Sequence, residues 1–157
     1  ALTGHFVLST LHTNDAVTSA LRLLDMGAAS YLVASALRVI IAQRLVRRVC
    51  TECAETHPLS LDEARVLDID SAECAEIRRG KGCERCGQTG YRGRVGLYEL
   101  LLMSDEIRHQ IASGADANSI RDTAIKGGMR TLRQDALEKL RAGLTTPEEV
   151  VRVTRAV

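Results

Sequence analysis

Residues 49–58 read VCTECAETHP and residues 82–94 read GCERCGQTGYRGR. They place Cys50, Cys53, Cys83 and Cys86 as two C-x2-C pairs with 29 residues between the pairs. Two residues between thiolates let a tight turn aim both sulfurs at one cation, with Zn–S distances of about 2.3 Å. Two such turns complete a closed tetrahedral site, which is structural because no position is left for a reacting water. A thioredoxin-type redox site uses a single pair in a strand–helix setting, so two pairs are one too many. Five cysteines with no signal peptide suit a reducing compartment, which disfavours a disulfide framework. The gap exceeds the usual zinc-ribbon spacing, so the residues between the pairs are expected to fold as an excursion of their own. The entropy of closing such a loop grows only logarithmically with its length. Cys74, alone in SAECAEI, reads as a bystander, and His57 is redundant beside four thiolates.

The bulk of the chain limits what this clamp can serve. Its 157 residues allow one ordinary domain or two small ones. A hydrophobic content of 45% with 26% charged residues is that of a soluble globular protein. The longest apolar run, residues 31–49, is interrupted by Arg38 and Arg44, so it is expected to be a buried helix and not a membrane span. A net charge of +1 provides no global field for nucleic acid or anionic lipid. The insertion is itself acidic, with Glu52, Glu55, Asp62, Glu63, Asp68, Asp70, Glu73 and Glu76, and phosphate affinity comes chiefly from cations. Nucleic acid is therefore not expected as a partner. The chain opens on Ala and enters directly on a strand-like run, as a piece of a longer protein would.

That run, HFVLSTL at 5–11, is apolar and bounded by Gly4 and HTND, and predicts a buried strand of an α/β sheet. Thr13, Asn14 or Asp15 then caps a helix that Gly27 stops, with Ala16, Ala20, Leu23 and Leu24 on one face. A second helix is expected from about Ser30 to Val49, with Val33, Leu37, Ile40, Ile41 and Leu45 as its apolar stripe. Within the insertion, LDEARVLDI is a short helical stretch. Residues 90–103 predict glycine-punctuated turns leading into a strand. Four short helices follow: one capped by Ser104, one ended by Gly127, one ended by Gly143, and one beginning at Pro147. The last has Thr146 as cap and Glu149 to complete a capping box.

His5 and His12 flank the first predicted strand. In an extended chain they stand about 23 Å apart, on opposite faces, and share no metal. His12 falls at the carboxyl end of that strand, where open α/β sheets bind ligands and helix N-termini attract phosphate. The polar cluster Ser9, Thr10, His12, Thr13, Asn14 and Asp15 either caps the helix or reads a phosphate; chemistry alone leaves both open. No G-x-x-x-x-G-K-[ST] loop occurs, and RRGKGC at 78–83 is a decoy because no hydroxyl follows its lysine.

LTGHFVLSTLHTNDA resembles the histidine box of the secretion ATPase superfamily. RLLDMG, AQRLVRRVC, GCERCGQTGYRGRVGLYELL and GMRTLRQDALEKLRAGLTTPEEVVRVTR follow in the order found in type II secretion ATPases (general secretion pathway protein E) and the similar type IV pilus assembly ATPases. The resemblance covers essentially the whole chain; the alternative reading of the residues is a zinc-stabilised protein-interaction module without a nucleotide role. The pilus retraction ATPases lack the tetracysteine loop, and TTPEEVVRVTR leans towards the secretion branch over the pilus assembly branch.

The resemblance implies the C-terminal part of a RecA-like P-loop ATPase domain of α/β class. The expected division is an ATPase-core remnant at 1–49, a tetracysteine zinc subdomain at 50–93 and a small helical C-terminal subdomain at 94–157. It implies a homo-hexameric motor at the cytoplasmic face of the bacterial inner membrane, held there by platform proteins and driving pseudopilus assembly. Structural Zn2+ would sit on the four cysteines, and ATP with Mg2+ would be bound in the whole protein, its phosphate-binding loop lying upstream. By this likeness His12 sits near the terminal phosphate with His5 framing the box, as the catalytic candidates. Thr10, Thr13, Gln43 and Arg44 are the candidate nucleotide contacts, Gln43 and Arg44 near the nucleotide or a subunit boundary. Tyr91, Arg92 and Arg94 stabilise the turn beside the metal.

Overall fold

The structure is a computed structural model that describes residues 2–70 and 76–154; Cys74 lies outside the described residues. The fold is mixed α/β, and the chain divides into two compact units, each built from two separate stretches. The dividing points differ from those of the motif-based three-part division.

The first unit comprises Ala1–Gln43 and Tyr98–Thr131. Its helix α1, Ala16–Asp25, starts where Asp15 accepts from the Thr18 N–H at 2.7 Å, as a short acceptor at the N-cap should. Helix α2 is Ser30–Ala36. Helix α4, Asp105–Ser113, is capped by Ser104, and α5, Ala117–Lys126, by Asp116. Helix α2 packs on α4, α4 on α5, and α1 on both α2 and α5. Their buried faces meet through Ala16, Val17, Ala20, Val33, Ala34, Ile107, Ile111, Ile120 and Ala124.

Two expectations fail in this unit. Residues 5–11 form no strand: they have no regular structure, and Phe6 and Leu8 are each 83% exposed. An extended segment becomes a strand only when its backbone N–H and C=O groups find a ladder, and the two described sheets pair Val39–Val49 with Tyr91–Leu102 and Ala54–Pro58 with Glu76–Gly80. The long second helix also fails. Helix α2 ends at Ala36, Leu37 turns extended (φ −67°, ψ 138°), and Val39–Val49 is strand β1. The buried positions of β1 are Ala42, Val46 and Val49, whereas Ile41 and Leu45, assigned to the helical stripe, are exposed. Val39, Ile40, Ile41, Val46 and Val49 are β-branched and suit a pleated surface, and β4, Tyr91–Leu102, supplies the ladder. Strand β4 begins right after Gly90, so the glycines of 93 and 96 lie within the strand and not in turns before it.

The second unit comprises Arg44–Leu97 and Leu132–Val157. The insertion forms its own excursion, as expected. Strand β2, Ala54–Pro58, pairs antiparallel with β3, Glu76–Gly80, from Ala54 opposite Gly80 to Pro58 opposite Glu76. Helix α3, Leu61–Leu67, lies between them in sequence and starts at Ser60 with a complete capping box to Glu63. Helices α6, Leu132–Arg141, and α7, Pro147–Thr154, complete the unit. Its core gathers Val46, Val49, Leu67, Ile77, Leu97, Ala136, Leu140 and Val150. The Glu149 carboxylate, at the start of α7, accepts from Arg47 and Arg152.

Candidate metal centre

Each cysteine pair sits on a tight turn at the foot of the β2–β3 ribbon. Cys50 and Cys53 follow the end of β1; Cys83 precedes a single 3-10 turn, Glu84–Cys86, and Cys86 ends it. Gly87 (φ 59°) and Gln88 (φ 63°) then take the chain through left-handed conformations. The Gln88 N–H donates to the Cys83 carbonyl at 2.9 Å and closes the turn.

All four Sγ atoms lie within 4.8 Å of one another. Three separations are 4.0 Å for Cys50–Cys83, 3.9 Å for Cys53–Cys86 and 3.7 Å for Cys83–Cys86. A tetrahedron with Zn–S bonds of about 2.3 Å has edges of about 3.8 Å. The four thiols are free, so the cluster is not a pair of disulfides. Cys50 and Cys53 are buried, whereas Cys83 and Cys86 are partly exposed. The donor set therefore fits a tetrahedral thiolate-seeking cation such as zinc. Neither His57 nor any carboxylate joins the group among the described residues.

The surrounding backbone favours negative sulfur unequally. Burial opposes ionisation of Cys86, yet N–H groups of Cys83 at 3.2 Å and Gly90 at 3.3 Å point at its sulfur, and it is held down to about 6. Burial pushes the Cys53 thiol up to about 12, with one opposing backbone contact from Gly82. A cation at the centre would supply the charge that deprotonates the remaining thiols.

Two glycines make the turns fit. Gly80 and Gly90 lie backbone to backbone: a Cβ on Gly80 would stand 2.1 Å from the Gly90 carbonyl oxygen. A Cβ on Gly90, at φ +75°, would stand 2.3 Å from that of Gly80. This contact lets the Cys50 N–H donate to the Gly90 carbonyl at 2.9 Å while Lys81 N–H donates to the Cys53 carbonyl at 3.0 Å. Sequence reasoning missed the pair; the signal available was a glycine ten residues before another, each next to a cysteine turn.

Tyr91 does brace this region. Its hydroxyl is 2.8 Å from Thr146 Oγ1, and the Arg47 guanidinium lies 4.1 Å from its ring centroid. Glu149, 1% exposed, was also missed as a site residue. Its carboxylate accepts from Arg47 N–H at 2.7 Å, Arg47 Nε at 3.0 Å, Arg152 Nε at 2.9 Å and Arg152 Nη2 at 2.7 Å. Burial alone would raise its pKa, but Arg152 and Arg47 outweigh it and hold the carboxyl down to about 2.

The candidate nucleotide residues are less organised. His5, Thr10 and His12 are exposed in the segment without regular structure, and His5 Nδ1 is 3.0 Å from Thr3 Oγ1. Thr13 Oγ1 is 2.5 Å from Ser19 Oγ. The N-terminus of α1 is filled by acids: besides Asp15 on Thr18, buried Glu99 accepts from the Ala16 N–H at 2.9 Å. Arg121 Nη2 in turn donates to Asp15 at 3.0 Å. Those two N–H groups are committed within the protein, and Asp15 is the cap. Gln43 is exposed and donates to the Tyr98 hydroxyl at 3.1 Å; Arg44 is half-buried. No helix among the described residues is long and apolar enough to cross a membrane.

Comparison with known proteins accords with this arrangement. The family model described as type II/IV secretion system protein matches residues 1–152. The chain is 47% identical over 153 residues to the type IV pilus assembly ATPase PilB of Thermus thermophilus, covering 96% of this chain and 17% of that protein. It is 41% identical over 155 residues to the type II secretion system ATPase E of Vibrio cholerae, covering 99% of this chain and 31% of the relative. It is 45% identical over 156 residues to the type II secretion system protein E of Pectobacterium carotovorum, covering 99% and 30% respectively. The chain thus spans less than a third of the length of these relatives. With a match along nearly its whole length, the chain belongs to the type II/IV secretion system protein family.

Proposed function

We propose that this chain is the C-terminal portion of a hexameric, RecA-like ATPase that powers type II protein secretion from the cytoplasmic face of the inner membrane. In that protein ATP and Mg2+ are bound chiefly by residues outside this chain, since no phosphate-binding loop motif occurs in it. His12 reads the terminal phosphate, His5 frames the segment, and Thr10, Thr13, Gln43 and Arg44 border the nucleotide or a neighbouring subunit. With the Ala16 and Thr18 N–H groups committed to Glu99 and Asp15, His12 acts through its imidazole and not through the helix terminus. The hexamer works on inner-membrane platform proteins to build a pseudopilus. The chain alone is expected to hydrolyse no ATP above background.

Cys50, Cys53, Cys83 and Cys86 hold a structural Zn2+, which supplies rigidity and no chemistry of its own. The carrying observation is the convergence of four free thiols from two separate turns within 4.8 Å. A cross-linked excursion is rigid without a large core, and it transmits nucleotide-driven motion to the platform as a block. The test is Cys83→Ser in the whole protein: metal is lost and secretion stops. Secretion that survives demonstrable loss of metal would refute the transmitting role.

A second reading keeps the same motor in a type IV pilus assembly system. The 47% identity to a pilus assembly ATPase favours it, while TTPEEVVRVTR leans to the secretion branch. Complementation of a secretion-deficient and a pilus-deficient strain with the whole protein separates the two.

A further inference from the structure

We propose that helix α7 is a clasp on the metal centre and that Glu149 is its positioning residue, fixing the strand ends that present Cys50 and Cys86 to the ion. The inference rests on the cysteine set being a metal site. Glu149 reaches the backbone of β1 directly, taking the Arg47 N–H three residues before Cys50. Two further bonds tie the same strand to the segment before α7. Thr145 Oγ1 donates to the Arg47 carbonyl at 3.0 Å, and the Val49 N–H donates to the Leu144 carbonyl at 3.0 Å. Thr145 is fully buried and Thr146 nearly so.

The same helix start reaches β4. The Thr146 hydroxyl meets Tyr91, whose ring lies against the Arg47 guanidinium that Glu149 holds. Tyr91 follows Gly90, and Gly90 makes two bonds into the cluster: its N–H points at Cys86 Sγ, and its carbonyl accepts from Cys50 N–H. One buried carboxylate therefore holds the strand that leads into Cys50 and, through Arg47 and Tyr91, stands behind the N–H donor to the Cys86 sulfur. Groups that orient metal ligands from behind set how long the metal is held, and losing one costs about ten- to a hundred-fold in affinity.

The experiment uses the intact chain loaded with Zn2+ and measures release to a chromophoric chelator. Co2+-loaded protein then reports ligand geometry through its visible d–d bands. Glu149→Ala is expected to release zinc about ten to a hundred times faster and to shift the Co2+ bands. Leu140→Ala, a cavity in the same unit that removes none of the clasp's hydrogen bonds, controls for general loss of stability. If Glu149→Ala does not fold, Glu149→Gln and Tyr91→Phe take its place, with smaller accelerations expected. Slow release retained by Glu149→Asp, which keeps the charge and loses the reach, would count against a positioning role. Release and spectra unchanged from the parent, or acceleration no greater than that of Leu140→Ala at equal stability, overturns the clasp. A parent chain that takes up neither Zn2+ nor Co2+ overturns the metal reading itself.

Discussion

The cysteine turns and the histidine segment are both short polar motifs next to a helix or strand, yet they are built in opposite ways. Around the cysteines every need is met locally: sulfurs face sulfurs, two glycines allow backbone contact, and Tyr91, Thr145, Thr146 and Glu149 secure the strand ends. Residues 5–12 leave Phe6, Val7 and Leu8 at 60–83% exposure and form no ladder. A cross-link carries its own folding free energy, whereas an apolar extended segment depends on a sheet to receive it. The first motif is assembled by residues of this chain; the second has no ladder among the described residues.

The largest effect expected from breaking this contrast is removal of the metal. Chelation under reducing conditions should unfold the β2–β3 excursion, because structural zinc contributes on the order of 10–16 kcal/mol in small zinc domains. Hydrogen exchange should show protection lost across 50–58 and 76–90 and kept in α4 and α5. Uniform loss in both units, or none in either, would erase the distinction.

Next in size is Gly90→Ala, which needs a left-handed residue and collides with the Gly80 carbonyl. Strain of this kind costs about 1–3 kcal/mol before the collision is counted. Chemical denaturation of the zinc-loaded chain would measure it, and a parent-like midpoint would show that the turns can part.

Acid should loosen the clasp before the cysteine ligands are considered. Glu149 has a depressed pKa, so its stabilising contribution is present above the ordinary carboxyl value and is lost as pH falls towards about 2. A depression of this size corresponds to roughly 2–4 kcal/mol. In Glu149→Gln the stability difference from the parent should shrink progressively between pH 4.5 and pH 2. A constant difference over that range would mean that the carboxylate charge does not matter.

The smallest effect is on the histidine side. Phe6→Ser or Leu8→Ser should change the stability of this chain by less than about 0.5 kcal/mol, as exposed substitutions do. The same change in the whole protein should cost several times more if the segment is received by a sheet there. Equal, negligible effects in both would leave the segment without a structural partner.

Much of the helical scaffold was legible from local chemistry. Ser104, Gly127 and Pro147 mark real helix ends, and Asp15 is the cap among the three candidates at 13–15, because capping groups act within a turn of the residue that carries them. The cysteine set was legible for the same reason, since C-x2-C geometry is decided by a turn of four residues. Residues 39–49 were misread because their apolar spacing satisfies a helix as well as a strand, and only β4, about fifty residues later, decides between them. The bonds of Glu149 to Arg47 were not legible because Arg47 lies 102 residues away in sequence.

Sequence alone determined the helix ends at Ser104, Gly127 and Pro147, the four sulfur donors and the family, all of which depend on residue identity over a few positions or on motif order. Tertiary structure decided that 39–49 is a strand, that Gly80 and Gly90 touch, that α1 receives Glu99 at its start, and that Glu149 stands behind the metal site. Each of these joins residues far apart in the chain. Their energies come from burial and pairing that no local window contains.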